Sequence, residues 1–314
     1  MVVNKALTLT PDLQRTRDAI ASSTLNHGLM VMGDRWTMAI LMEAFKGVHR
    51  FEQWQESLQI PRATLSERLK KLVALGLLGR ETPAESVGQK FYHLTHKGLG
   101  LYPAVLMVWL WEKRWGSRQK TLPSTLVHTV CGQRFSPVLA CTACSEKTGL
   151  SDLRLELDPN AALLASAIRR ERTGRIAGTS AQGLGLGLRV DRWALLIITA
   201  IILGCHYFDQ IAKVLGISSA VLTRRLNAMV EMDLLLCQTD QQDARRFIYR
   251  LTPASRDLLG YLVCFSGWAS REFLRQPSSI RPVHKACAQT FVAQVVCSAC
   301  QQVVRPWEVD FSYT

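Results

Sequence analysis

Six cysteines and two histidines of this chain fall into two segments that share one spacing. His128, Cys131, Cys141 and Cys144 lie in "HTVCGQRFSPVLACTAC"; His284, Cys287, Cys297 and Cys300 lie in "HKACAQTFVAQVVCSAC". Both read His-x2-Cys-x9-Cys-x2-Cys. Thiolate and imidazole are the donors that tetrahedral Zn²⁺ favours, and two donors two residues apart can reach one ion from a single tight turn. Each segment supplies four donors, so the expectation is one closed, structural Zn²⁺ site per segment, up to two per chain. A catalytic zinc would need a vacant position for water. Two other readings of the same residues stay open: small buried hydrophobes, and reversible redox pairs at Cys141/Cys144 and Cys297/Cys300. Cys205, Cys237 and Cys264 have no partner spacing and read as core or surface thiols.

The doubled motif belongs to a larger repeat. At an offset of 157 residues "DRW" (Asp34 to Trp36) falls on "DRW" (Asp191 to Trp193). At the same offset Gly47, His49 and Phe51 fall on Gly204, His206 and Phe208, and Trp111 falls on Trp268. The His/Cys motif matches at 156, so a single one-residue gap aligns nearly the whole unit. A period this long indicates a duplicated domain rather than a solenoid. The expected organisation is a first domain over 1–120, a His/Cys knuckle over 121–157, a linker over 158–179, a second domain over 180–277 and a second knuckle over 278–314.

Within the first copy, "DRWTMAILMEAFKG" has an N-capping Asp34, apolar residues at helical spacing and a stop at Gly47. "RFEQWQESL" supplies a short helix, and "IPRATLSERLKKLVALG" a second, with Leu65, Leu69 and Leu72 on one stripe. Two short helices around a tight turn form the helix-turn-helix layout, whose second helix enters the major groove. "LLGRETPAESVGQKFYHLT" follows as two strand-like pieces around Pro83, Ser86 and Gly88, a wing. The apolar helix in "HKGLGLYPAVLMVWLWEKRW" has more apolar surface than one small domain needs, and is expected to pack on another copy.

With the leucine stripe inward, Thr64, Glu67, Lys70 and Lys71 face outward, with Arg62 and Arg68 on the flanks. Arg and Lys would neutralise phosphates, while Arg62 and Thr64 near the helix start are placed for base edges. Lys90 joins them from the wing. In the second copy the corresponding candidates are Ser219, Arg224 and Arg225, with Arg245 and Arg246 in the wing; that face is less basic and could serve mainly as support. The bland alternative is a solvated helix face.

Taken together, "GDRWTMAILMEAFKGVHRFEQWQESL", "TLSERLKKLVALGLLGR" and "YHLTHKG" resemble the HxlR-type winged helix-turn-helix transcriptional regulators. The likeness runs over about 23–116 and more weakly over 180–272, where Ser255 stands in place of Gly98. It implies dimerisation through terminal helices, and hence a pseudo-dimer within one chain or a homodimer. It also implies a sensing cysteine, in some members, just ahead of the first core helix. Here Ser23 and Ser180 fall there, so a thiol switch at that place is not supported.

Composition agrees with this reading. The 314 residues carry a net charge of +13, split as +7 for 1–157 and +6 for 158–314, with 48% hydrophobic and 20% charged residues. Such basicity in both halves favours a polyanion, although charge alone does not separate DNA from RNA or an anionic membrane; the helix-turn-helix and wing make double-stranded DNA the expected partner. The most apolar run, Trp193 to Cys205, is short of the roughly 18–20 residues of a spanning helix, so no membrane partner is expected. The start has no secretory pattern, and a cytoplasmic location follows. No Ser/His/Asp order, phosphate-cradling glycine loop or paired carboxylates appears, so no enzyme is expected. His49 and His206 read as helix-end caps. The fold class expected is mainly α with small β-wings: two tandem winged helix-turn-helix domains, each followed by a zinc-ribbon-like His/Cys3 segment. The alternative is a protein-interaction or redox/metal-sensing module built on winged helices, with little DNA contact from the second domain.

Overall fold

Asp34 and Asp191 begin the same helix twice. Asp34 Oδ1 accepts the Thr37 N–H at 3.0 Å and Asp191 Oδ1 accepts the Ala194 N–H at 2.8 Å, each satisfying one of the donors that a helix start leaves open. The computed structural model describes residues 12–32, 34–81, 90–116, 122–160, 191–274 and 277–312. The wing tip (Pro83, Ser86, Gly88), most of the expected linker, and Ser180 lie outside them.

The first copy runs α1 (Leu13–Ser22), α2 (Thr24–Met32), α3 (Arg35–Phe45), α4 (Phe51–Leu58), α5 (Arg62–Ala74), β1 (Leu78–Glu81), β2 (Phe91–Leu94), α6 (His96–Leu99) and α7 (Tyr102–Trp115). Its tail forms β3 (Thr125–His128), β4 (Gln133–Phe135), β5 (Pro137–Cys141) and β6 (Leu153–Leu157). The second copy contributes α8 (Arg192–Ile202), α9 (Phe208–Leu215), α10 (Ser219–Glu231), β7 (Leu235–Thr239), β8 (Phe247–Leu251), α11 (Pro253–Asp257) and α12 (Leu259–Ala269), then β9 (Ile280–His284), β10 (Ala293–Cys297) and β11 (Val309–Ser312). The protein is mainly helical with small antiparallel sheets.

Each copy builds the expected winged layout. Gly47 and Gly204, at φ of 90° and 92°, end α3 and α8, a backbone state open to glycine at little cost. Trp54 is fully buried and donates to the Ile40 carbonyl at 3.0 Å, fixing α4 on α3. Leu65, Leu69 and Leu72 of α5, and Leu222, Leu226 and Met229 of α10, face the core. The wings pair antiparallel in matching register, Leu78 with Leu94 and Leu235 with Leu251.

The apolar surplus of α7 goes against α12, its counterpart. Trp111 donates to the Ala254 carbonyl at 2.7 Å, and Trp268 donates to the Lys97 carbonyl at 2.9 Å; the two bonds are the same bond with the copies exchanged. Burial of each indole contributes about 4–6 kcal/mol on area alone, an upper bound. A Cβ at Gly28 would lie 2.8 Å from the Phe265 ring and 2.9 Å from Ala269 Cβ, so glycine lets α2 approach α12. α8 is buried on nearly every side, which accounts for the apolar run at Trp193. Among the described residues no helix is long and apolar enough to cross a membrane.

The tails do not form two separate ribbons. β3 pairs with β11, β5 with β10, and β6 with β9, all antiparallel. The pairings respect the repeat: Val309 opposite His128 recurs as Leu153 opposite His284, and Leu139 faces Val295, its own counterpart. Strands this short leave open edges, and each copy covers the edges of the other.

Candidate metal centres and DNA-facing surface

Because the strands are exchanged, the donors regroup. The cluster expected from each continuous segment does not form. His128 and Cys131 of the first copy meet Cys297 and Cys300 of the second, while Cys141 and Cys144 meet His284 and Cys287; within each group the donor atoms all lie within 4.8 Å of one another. The reason is the β5–β10 pairing, which carries the Cys-x2-Cys turn at the end of each strand over to the other copy's His-x2-Cys turn. All eight expected donors are used, in two groups of one His and three Cys. Either group could hold a metal ion.

The two groups match in geometry. His128 Nδ1 lies 3.5 Å from Cys131 Sγ and 3.3 Å from Cys300 Sγ, and Cys131 Sγ lies 4.0 Å from Cys297 Sγ. In the other, His284 Nδ1 lies 3.4 Å from Cys287 Sγ and 3.3 Å from Cys144 Sγ, with Cys141 Sγ 4.0 Å from Cys287 Sγ. A tetrahedron with bonds of about 2.3 Å has edges of about 3.8 Å, so these spacings suit one small ion.

Four turns hold the donors, all of one form. After the second donor of each turn the chain enters the left-handed region: Gly132 (φ 68°), Ser145 (62°), Ala288 (57°) and Gln301 (62°). Each of those residues donates its N–H to the carbonyl of the first donor, at 2.8, 2.8, 2.8 and 2.9 Å respectively. Three are not glycine, and strain of this kind gathers at functional sites. Ala299 N–H points at Cys297 Sγ at 3.4 Å. The Gln302 amide holds the Cys300 thiol below its ordinary value. Burial pushes Cys141 up, but the amides of Cys144 and Ala143 outweigh it and leave that thiol depressed.

Both histidines are buried, and their outward nitrogens face oxygen. His128 Nε2 lies 3.8 Å from Glu308 Oε2, and His284 Nε2 lies 3.5 Å from Thr148 Oγ1. At 3.5 Å Thr148 is placed to orient the His284 imidazole, whereas the 3.8 Å to Glu308 is beyond hydrogen-bond reach and leaves His128 Nε2 without a hydrogen-bond partner among the described residues. Sequence reading missed Glu308 and Thr148, because neither stands at a motif spacing. Cys205 and Cys264 are buried core thiols, pushed up by burial to about 11 and about 12, and Cys237 is exposed.

The helix faces divide differently from expectation. Arg62, Glu67 and Lys70 are exposed on α5, Thr64 and Lys71 are half-buried, and Lys90 is exposed at the base of the wing. Burial lowers Lys71, which also lies 3.9 Å from Asp34 Oδ2. Arg68 turns inward: its Nε donates to Asp34 Oδ1 at 3.1 Å and its Nη1 to Glu67. Arg225 does the same with Asp191, more deeply buried. Both arginines thus tie the N-cap of a core helix to the recognition helix, a use that withdraws them from the DNA-facing set. On the second copy Ser219 and Arg224 are exposed, Arg245 bonds Asp243 at 3.2 Å, and Arg246 pairs with Asp209 at 2.9 Å while lying over the Tyr207 ring. Arg50 and Arg80 are exposed cations near the first wing that pattern reading passed over.

The HxlR-like helix-turn-helix family matches residues 31–120 and 189–277, one segment in each copy. The chain belongs to the HxlR-like helix-turn-helix family. It is 38% identical over 136 residues to MT3179, an uncharacterized HTH-type transcriptional regulator of Mycobacterium tuberculosis (strain CDC 1551 / Oshkosh), covering 43% of this chain and 86% of that protein. YvaP of Bacillus subtilis (strain 168), with the same description, is 30% identical over 86 residues, 27% of this chain and 80% of its own. The solved structure of PA1374 from Pseudomonas aeruginosa is 30% identical, covering 36% of this chain and 78% of that one, at a TM-score of 0.30.

Two departures of this HxlR-like chain now have physical accounts. A Cβ at Gly98 would run into the Leu77 carbonyl; at the equivalent place in the second copy Ser255 Oγ donates to the Leu234 carbonyl. Ser23, at the position the resemblance gives to a sensing cysteine, is buried, donates to the Ile20 carbonyl at 2.8 Å and accepts the Asn26 N–H at 3.1 Å. That serine closes α1 and opens α2.

Proposed function

We propose that this protein is a DNA-binding transcriptional regulator that acts by occupying a promoter. Its two winged helix-turn-helix units would form an intramolecular pseudo-dimer, held by two structural Zn²⁺ ions that each bridge the copies. The observation that carries the reading is the exposed face of α5, where Lys70 and Arg62, the latter lying over the Phe51 ring, stand above a buried leucine stripe beside Lys90, in a chain of net charge +13. Cations so arranged suit phosphates on either side of a major groove. The donor sets favour zinc over harder cations because each has three sulfurs and one imidazole and no oxygen. In this reading the domain boundaries of the sequence analysis become a functional division, with residues 121–157 and 278–314 acting as one joint clasp. A regulator of this kind works in the cytoplasm.

One observation favours a supporting role for the second copy: Arg225 of α10 is buried and Arg246 of its wing is paired with Asp209, leaving fewer open cations on that helix and wing than on the first. The test is selection of bound sequences from random duplexes, followed by titration across salt. The reading expects an enriched sequence and a steep loss of affinity with salt. No enrichment, with affinity flat in salt, would point instead to a protein-docking module.

A further inference from the structure

The repeat leaves one arginine without the partner that its counterpart has. Arg114, in the last turn of α7, pairs with Asp257 at 2.9 Å. The equivalent residue 157 positions on is Arg271, just past α12, and the place equivalent to Asp257 is held by Gly100. Arg271 is exposed, and no carboxylate of the described residues pairs with it. Its guanidinium nevertheless turns back along α12. Nη1 lies 3.5 Å from where a Cβ on Gly267 would stand, and its charge opposes the effect of burial on the Cys264 thiol. Cys264, Gly267 and Arg271 all wall one cavity of about 310 Å³, bounded by α2, α8, α12 and the β6/β9 pair.

The wall has an apolar part and a polar part. Leu155, Ile202, Leu259, Leu262 and Val263 supply an aliphatic surface. Hydroxyls line the rest, and most are engaged: Thr24 Oγ1 and Ser266 Oγ bond each other at 2.8 Å. Ser278 Oγ accepts the Thr24 and Ile280 N–H groups at 3.4 and 3.3 Å, which leaves its own hydrogen to donate. Two cations stand on the wall. Arg281 is held by Glu156 at 2.6 Å, so Arg271 is the charge left uncompensated there. A cation with no acid beside it, set against aliphatic surface, is complementary to an anion with an apolar body.

We propose that this cavity binds a medium-chain aliphatic carboxylate, with its chain in the apolar part and its carboxylate on Arg271. Guanidinium and carboxylate meet through two parallel hydrogen bonds, and Ser278 offers a further donor on the same wall. The size fits: the cavity is about twice the roughly 150 Å³ that takes benzene, which suits an acid of about eight to ten carbons. Thr24 and Leu155 come from the first copy and α8 and α12 from the second, so a ligand there touches both copies at once. The site stands apart from the DNA reading, since its filling needs no DNA.

The test is calorimetric titration of the full chain, without DNA, with sodium octanoate, octan-1-ol and sodium acetate. Octanoate should bind saturably at one per chain, octan-1-ol more weakly, and acetate not detectably over the same concentrations. Arg271→Gln should weaken octanoate about tenfold, the contribution of a hydrogen bond to a charged group, and leave octan-1-ol unchanged. Arg114→Gln removes an equal charge outside the cavity and should leave octanoate affinity as it was, which separates the site from attraction by net charge. Val263→Trp, which fills the apolar part, should abolish binding. Absence of saturable octanoate binding, acetate binding as tight as octanoate, equal octanoate affinity in Arg271→Gln, an equal loss in Arg114→Gln, or binding retained in Val263→Trp would each overturn the proposal.

Discussion

His128 Nδ1 lies 3.3 Å from Cys300 Sγ, although 172 residues of chain separate them. Cys144, the cysteine that the sequence motif pairs with His128, is gathered with His284 instead, at 3.3 Å. The His/Cys turns therefore bridge the copies. A chain with bridging sites resists separation of its two helical units in a way that two self-contained ribbons would not.

The exposed cations of α5 should govern DNA affinity. Lys70→Ala removes an exposed charge, and binding should weaken across all sequences, with the salt slope falling by about 1. Arg62→Ala near the helix start should in addition relax sequence preference. Quantitative filter binding at several salt concentrations checks both; an unchanged slope for Lys70→Ala would take it out of the interface.

Asp191→Ala should unfold the second unit more readily. It removes the N-cap of α8 and strands the buried Arg225 guanidinium, and an uncompensated buried charge costs about 3–5 kcal/mol. Asp34→Ala should cost less, because the Arg68 side chain keeps 17% exposure. Denaturant melts of the two variants give the comparison, and equal losses would contradict the difference in burial.

Trp111→Phe should lower stability by about 1–3 kcal/mol, since the Ala254 carbonyl loses its donor inside the packed α7–α12 contact. Trp268→Phe should behave alike through the Lys97 carbonyl. Thermal melts of the single variants and the pair test this, and a loss in one variant only would break the equivalence of the two bonds.

Much of this was legible from the repeat and its helical periodicity: the capping aspartates, the leucine stripe of α5, the wing strands and the surplus apolar face of α7. Arg68 was misplaced because helical phase alone sets it on a flank; only the distant Asp34, brought close by packing, draws it inward. The eight candidate metal donors were legible as residues but not as groups. Spacing along the chain says which two share a turn, whereas the grouping of turns is decided by the β5–β10 pairing, between segments whose identical patterns give no local sign of which partner each prefers.

The central claim is the exchange of donors between copies, and paired substitutions read out by zinc content test it directly. His128→Ala with Cys300→Ala strikes one bridging site twice and spares the other, so one zinc per chain should remain in anaerobically purified protein. His128→Ala with Cys144→Ala strikes both bridging sites once each, and no tightly held zinc should remain. The opposite result, none in the first variant and one in the second, would contradict the account and return each site to its own segment.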